Sequence, residues 1–225
     1  SLGAFSRNYG PQGTDFGYFG GGGPPAVATV DRVDYSNDTA TAVAKGSLSA
    51  ARYLLAATSS ASFGYFGGGT GPTSSTIDRI DYSNDTATAS AKGPLSESRY
   101  GLAATGNSNF GYFGGGYDGA NRSIIDRVNY SNDTATALVR GPLTSGKNSI
   151  GATGNANFGY FVGGSPGDKS TVDRIDYSND TAAAAEKRGQ RDGRNPGSAT
   201  GNADFGDMNG DYPAKAIVDR IDYSN

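Results

Sequence analysis

Apolar residues in this chain fall in short clusters separated by polar, glycine-rich joins, and none of them sustains a 3.6-residue period. The stretch from Gly93 to Gly141 shows the pattern: GPLSESRYGLAATGNSNFGYFGGGYDGANRSIIDRVNYSNDTATALVRG. Its aromatic and β-branched clusters predict four strands, over Tyr100–Thr105, Phe110–Gly115, Ile124–Tyr130 and Thr134–Arg140. Thr-Gly-Asn, a glycine-rich stretch, Ser-Asn-Asp and Gly-Pro supply turns at the joins. Alternation along FGYFGG puts Phe110 and Tyr112 on one strand face and Phe113 on the other, so both faces can be buried.

This unit recurs. The leading phenylalanines of the FGYFGG-like stretches are Phe16, Phe63, Phe110, Phe158 and Phe205, at spacings of 47, 47, 48 and 47 residues. Asp-Arg recurs in step at Asp31, Asp78, Asp126, Asp173 and Asp219. Four strands in about 45 residues is the period of a propeller blade, and glycine pairs after aromatics resemble the kelch version of it. The expected fold is therefore all-β, a single domain over residues 1–225 forming a five-bladed kelch-like propeller. In such a blade the glycines let crowded neighbouring backbones approach, while the aromatics fill the space between blades or line a ligand cavity. Aligned to the repeat, Asn225 matches Asn84 and Ser1 matches about Pro94, so the stretch equivalent to Asp85–Gly93 has no counterpart. The fifth blade is thus expected to lack its outer strand, with its third strand over Ile217–Tyr223.

Composition narrows the functional classes. Thirty-six glycines and nine prolines would fit disorder, but 11% aromatics at regular spacing require packed strands. A net charge of -3 without a basic run gives no footprint for nucleic acid or an anionic membrane. No apolar stretch is near the ~20 residues that span a bilayer, and no signal peptide opens the sequence, which starts at Ser1 rather than Met, as a processed product or a fragment would. The absence of cysteine excludes disulfides and thiolate metal sites and, with the absence of histidine, Ser-His and Cys-His nucleophiles.

Several local patterns carry chemistry on paper. Carboxylates recur as Asp78/Asp81 and equivalents, with Arg79 between them; Arg79 and Asp81 share a strand face, which favours a structural ion pair over a glycosidase-like acid/base pair. Gly114–Gly119 satisfies G-x-G-x-x-G, but a strand rather than a helix is expected after it. Asp207–Asp211 alternates oxygen ligands like a calcium loop, yet lacks the sixth-position glycine and has Val218 where the twelfth-position glutamate belongs; no metal or cofactor is expected. Asn84-Asp85-Thr86 and its copies at Asn37, Asn132 and Asn179 fit a glycosylation acceptor and also the tight turn that a repeat would duplicate.

Strings such as DRIDYSNDTATA are far more specific than a glycine pair, and the units they define resemble the kelch-type repeats of virion structural proteins of marine bacteriophages, especially those infecting cyanobacteria. The resemblance covers nearly the whole chain and departs from the pattern at Glu186–Gly197 and Asp207–Asp211. It implies a particle or tail-fibre component; with no His or Cys and an arginine beside each recurring aspartate, the expectation is a non-enzymatic structural or adhesive module of a tail fibre or particle surface, assembled with other virion proteins, with a glycan-cleaving enzyme and a purely architectural spacer as the alternatives. Copies diverge mainly between the second and third strands, at Gly23–Ala28, Thr70–Ser75, Tyr117–Ser123, Ser165–Ser170 and Asp211–Ala216. These loops should share one rim with the connections between repeats. A constant scaffold with one variable rim fits binding of a host glycan or a virion protein, and drift in exposed loops would give the same divergence. Candidate contact residues there are Tyr117, Asn121, Arg122, Asp168, Lys169, Tyr212 and Lys215, whose aromatic, amide and charged groups suit sugars.

Overall fold

The computed structural model describes residues 4–6, 16–167, 170–187, 189–190, 198–209 and 218–224. They form a five-bladed β-propeller of antiparallel sheets. The first blade comprises β1 (Ala4–Ser6), β2 (Phe16–Gly20), β3 (Val30–Asp34) and β4 (Val43–Ala44). The second comprises β5 (Ala56–Ser59), β6 (Phe63–Gly67), β7 (Ile77–Asp81) and β8 (Ser90–Ala91). In the third are β9 (Ala103–Gly106), β10 (Phe110–Gly114), β11 (Ile125–Asn129) and β12 (Leu138–Arg140). The fourth holds β13 (Gly151–Gly154), β14 (Phe158–Val162), β15 (Val172–Asp176) and β16 (Ala185–Lys187). The fifth has three strands, β17 (Ser198–Gly201), β18 (Phe205–Asn209) and β19 (Asp219–Asp222), as the repeat alignment predicts. First strands pack on one another in series, β1 on β5, β5 on β9, β9 on β13 and β13 on β17, which makes them the innermost strands.

Strand boundaries differ from the sequence expectation where the chain leaves its own sheet. Residues 100–102 precede β9 because Gly101 takes φ 65° and donates its N–H to the Leu54 carbonyl of the blade before. The fourth strand starts only at Leu138 because Ala137 donates to the Pro94 carbonyl of the preceding unit's connection. Tyr130 leaves the third strand to open a single 3₁₀ turn, Tyr130–Asn132, which the Asn129 side chain caps by accepting from the Ser131 N–H. Asp34, Asp81 and Asp176 cap the equivalent turns in the same way.

The core lies between blades rather than within them. Tyr18, Leu48, Leu55 and Phe66 are buried together at the first joint; Tyr65, Leu95, Leu102 and Phe113 at the second; Tyr112, Leu143, Ile150 and Phe161 at the third; Tyr160, Val162 and Met208 at the fourth. Each second-strand tyrosine therefore faces the next blade and the adjacent phenylalanine faces the previous one, as alternation requires. Burying each ring contributes roughly 1.5–3 kcal/mol. Each tyrosine also stacks on the tyrosine just after the third strand of the next blade: Tyr18 on Tyr82, Tyr65 on Tyr130, Tyr112 on Tyr177 and Tyr160 on Tyr223, at 4.8–4.9 Å. Asp207 stands where the other blades have tyrosine and pairs with Arg220 opposite it on β19, at 2.8 Å.

At the second strands, glycine makes room for a ring rather than for another backbone. A Cβ on Gly20, Gly67 or Gly114 would stand 2.8, 2.7 or 2.6 Å from the ring of Phe66, Phe113 or Phe161 of the next blade. Gly114→Ala is therefore expected to cost about 1–3 kcal/mol through overpacking. Urea unfolding checks it, and adding Phe161→Leu should recover part of the loss because the smaller side chain can move aside.

Candidate functional site

The variable loops are zipped to the connections that enter each blade. Tyr53 pairs with Thr70, Tyr100 with Tyr117 and Asn148 with Ser165 as isolated antiparallel bridges. Loop and connection thus share one rim, and the rings of Tyr100 and Tyr117 lie 5.6 Å apart on it. Arg122 donates Nε and Nη2 to Asp118 of the same loop at 2.8 and 2.7 Å, and Glu97 lies 3.5 Å away. Those hydrogen bonds from Arg122 are the main reason the Asp118 carboxyl sits below its ordinary value. Asn121 accepts a hydrogen bond from the Asn148 side chain, tying this loop to the connection entering the fourth blade. Tyr117, Asn121 and Arg122 are therefore gathered on one half-exposed loop, each already engaged by a neighbour. Asp168, Lys169, Tyr212 and Lys215 lie outside the described residues.

Beneath this rim, each of three blades holds a buried ion pair. Arg52 meets Asp78, Arg99 meets Asp126 and Lys147 meets Asp173, all at 2.8 Å. Arg99 also donates to the carbonyls of Phe113 and Gly115, and Asp126 accepts from the Ser96 N–H. These groups lock the entering connection onto the second and third strands of its own blade. The cations recur at the repeat spacing, 47 and 48 residues apart, but that period does not show that they pair with aspartates more than 20 residues downstream.

The remaining repeated carboxylates are also placed, and not as the sequence pairing suggested. Arg79 does not pair with Asp81. It lies over the Phe63 ring at 4.2 Å and donates to Asp133 of the next blade at 2.7 Å. Asp81 accepts instead from the Ser83 hydroxyl and N–H, bonds that lower its pKa. The reason is reach: a strand-neighbour contact at i, i+2 competes with a cap two residues ahead and with a carboxylate brought close by the next blade. Asp85, Asp133 and Asp180, from the Ser-Asn-Asp turns, each sit in a clasp of three residues from the preceding blade. For Asp85 these are Tyr18 at 2.9 Å, Arg32 at 2.7 Å and Lys45 at 3.2 Å. The Asn-Asp-Thr stretches are thus turn and joint in one, with Asn84 exposed and its side chain accepting from Thr86.

The structure also bears on two other patterns. Gly114 closes β10, and the segment after Gly119 runs into β11, so no helix N-terminus follows the G-x-G-x-x-G match. Asp207 and Asn209 lie on β18, whose Met208 is buried against Tyr160; Gly210 and Asp211 of that pattern lie outside the described residues.

On the opposite rim, a cleft of about 470 Å³ opens between the second and third blades. Its walls are the first-to-second turns Ser60–Ser62 and Ser108–Asn109, with Phe63, Phe110 and Tyr130 and the amide of Asn129. Hydroxyls, amides and ring edges line it, with no charged side chain. The sequence reading passed over this face because its Ser and Asn residues are ordinary turn formers, and only the curvature of the disc sets neighbouring turns far enough apart to leave a cleft. No protein-family model matches the chain, and no curated protein sequence matches it.

Proposed function

We propose that the chain is a non-enzymatic, kelch-like module of a marine bacteriophage particle, holding a rigid disc whose variable rim binds a host-surface glycan or a neighbouring virion protein. One observation carries this reading: the residues that repeat most faithfully are occupied in joints and caps, while, among the described residues, the divergent loops at Thr70, Tyr117 and Ser165 lie on one rim. The recurring aspartates serve structural partners at three separate positions, which leaves a carboxylate pair at those positions poorly suited to acid/base work. Tyr117 offers a half-exposed ring beside amide and guanidinium groups, the combination that stacks on a sugar face and bonds its hydroxyls.

A glycan array probed with the intact chain, alongside pull-down with disrupted particles, tests the proposal. The expected result is capture of one glycan class or one virion protein, weakened about tenfold by Tyr117→Ala, the size of a modest hot spot. Thermal stability should stay close to that of the parent. Absence of any capture, or hydrolysis of a host polysaccharide abolished by a single Asp→Asn change, would overturn it.

A further inference from the structure

Two departures from the repeat meet at the cleft between the second and third blades. The first lies in the wall that the second blade supplies. Ser59-Ser60-Ala61-Ser62 stands where the third, fourth and fifth blades have Gly-Asn-Ser-Asn, Gly-Asn-Ala-Asn and Gly-Asn-Ala-Asp. Asn107, Asn155 and Asn202 cap those turns, each accepting two backbone N–H bonds at 2.8–3.0 Å. Ser60 caps its own turn with longer bonds, from the N–H of Phe63 at 3.1 Å and of Ser62 at 3.4 Å. A serine side chain ends at that oxygen, whereas asparagine carries an amide nitrogen as well. In the fourth blade this nitrogen crosses to the next turn, Asn155 donating to the Ala203 carbonyl of the fifth blade at 3.4 Å. Ser60 lacks the amide for such a strut toward the third blade.

The second departure lies in the facing wall. Asn129 caps the turn after β11, where Asp34, Asp81, Asp176 and Asp222 cap the equivalent turns. Its Oδ1 accepts from the N–H and hydroxyl of Ser131, at 3.0 and 2.8 Å, which leaves Nδ2 without an acceptor among the described residues. The exposed side chains of Ser62, Ser108 and Asn109 likewise make no hydrogen bond among those residues. Phe63 and Phe110 add half-buried rings. Arg79 and Arg127 lie over these rings at 4.2 and 4.4 Å, but each guanidinium is held by an aspartate of the next blade at 2.7 Å.

We propose that this cleft binds one neutral pyranose unit of a saccharide. Its volume, about 470 Å³, falls within the ~300–1,000 Å³ of small-molecule sites. Uncommitted hydroxyls and amides match the dense donors and acceptors of a sugar ring, and the phenylalanines offer apolar surface to its C–H face. Uncharged walls select against a sugar acid, whose carboxylate would lose hydration without gaining a cation. The site lies on the rim opposite the variable loops and does not depend on what they bind.

Calorimetric titration and saturation-transfer NMR on the intact chain test this with the methyl glycosides of glucose, galactose, mannose and N-acetylglucosamine. The same units at the ends of disaccharides, and methyl glucuronide as the charged counterpart, complete the set. Saturable one-to-one binding of at least one neutral glycoside is expected, with the glucuronide about tenfold weaker. Ser60→Asn/Ser62→Asn, which writes the third blade's residues into the second blade's turn, should weaken binding about tenfold and leave thermal stability at or above that of the parent. Asn109→Ala, at an exposed position, should weaken it severalfold by removing one polar partner. No saturable binding of a neutral glycoside, binding of the disaccharides alone, equal or tighter binding of the glucuronide, or affinity unchanged in both cleft variants would overturn the proposal. So would binding that Tyr117→Ala abolishes while the cleft variants retain it, since the sugar would then sit on the variable rim.

Discussion

Replacing Arg99 by Met is expected to destabilise the fold by about 3–5 kcal/mol, the range for breaking a buried ion pair from one side. Arg99 and Asp126 are both 0% exposed, so water cannot take over the carboxylate that the substitution leaves behind. The carbonyls of Phe113 and Gly115 lose their donors at the same time. Equilibrium urea unfolding reads the change as a lower midpoint. The double variant Arg99→Met/Asp126→Leu should lose less than the single one, because an apolar pair of similar volume carries no orphaned charge. A double variant as damaged as the single one would mean that packing, and not the charge, dominates at this position.

Asp85→Asn is expected to cost roughly 2–3 kcal/mol at neutral pH, from charge-assisted bonds to Tyr18, Arg32 and Lys45, discounted because Arg32 is a quarter exposed. This effect should depend on pH. Burial alone would raise the Asp85 pKa, but hydrogen bonds from Tyr18 and Lys45 and the charges of Arg32 and Lys45 outweigh it and hold the carboxyl below its ordinary value. A group lowered on folding contributes stability that is fully present above its unfolded value, about 3.9, and is lost as pH falls through the folded value. The gap between parent and Asp85→Asn should therefore be constant from pH 7 to about 5 and close progressively below about 4. Unfolding curves at stepped pH measure it, and a gap that widens in acid would contradict the clasp. Tyr18 reports the same contact from the other side, since burial and the bond to Asp85 push its hydroxyl pKa up.

The clasps and the ring stacks explain why some strings repeat almost unchanged. In DRIDYSND at Asp78–Asp85, Asp78 holds Arg52, Arg79 reaches Asp133, Asp81 caps the turn, Tyr82 stacks on Tyr18 and Asp85 enters the preceding blade's clasp. Asp78, Arg79, Tyr82 and Asp85 of that string thus have partners brought to them from elsewhere in the fold. Where one partner changes, another group compensates: Asp207 in place of tyrosine gives Arg220 a carboxylate on its own sheet, and Thr144 uses its hydroxyl to bond Asp173 at 2.6 Å.

What the sequence determined by itself was the periodic part of the architecture. Repeat spacing, strand alternation and turn formers depend on local chemistry, and a period near 47 residues admits few solutions besides a blade, so five blades, four strands per full blade, a three-stranded last blade and the opposed faces of Tyr65 and Phe66 were all legible. The partners of charged side chains were not. Arg79 and Asp81 are two residues apart and looked like a pair, but Asp133 is 54 residues away in sequence and 2.7 Å away in space. Arg52, Arg99 and Lys147 recur in step with the repeat, 47 and 48 residues apart, but a period names no partner, and each pairs with an aspartate 26 or 27 residues downstream. The cleft at Phe63 and Phe110 likewise belongs to a joint between blades. Long-range contacts of this kind arise from how twisted sheets stack around an axis, and only the tertiary structure decides which side chains that stacking brings together.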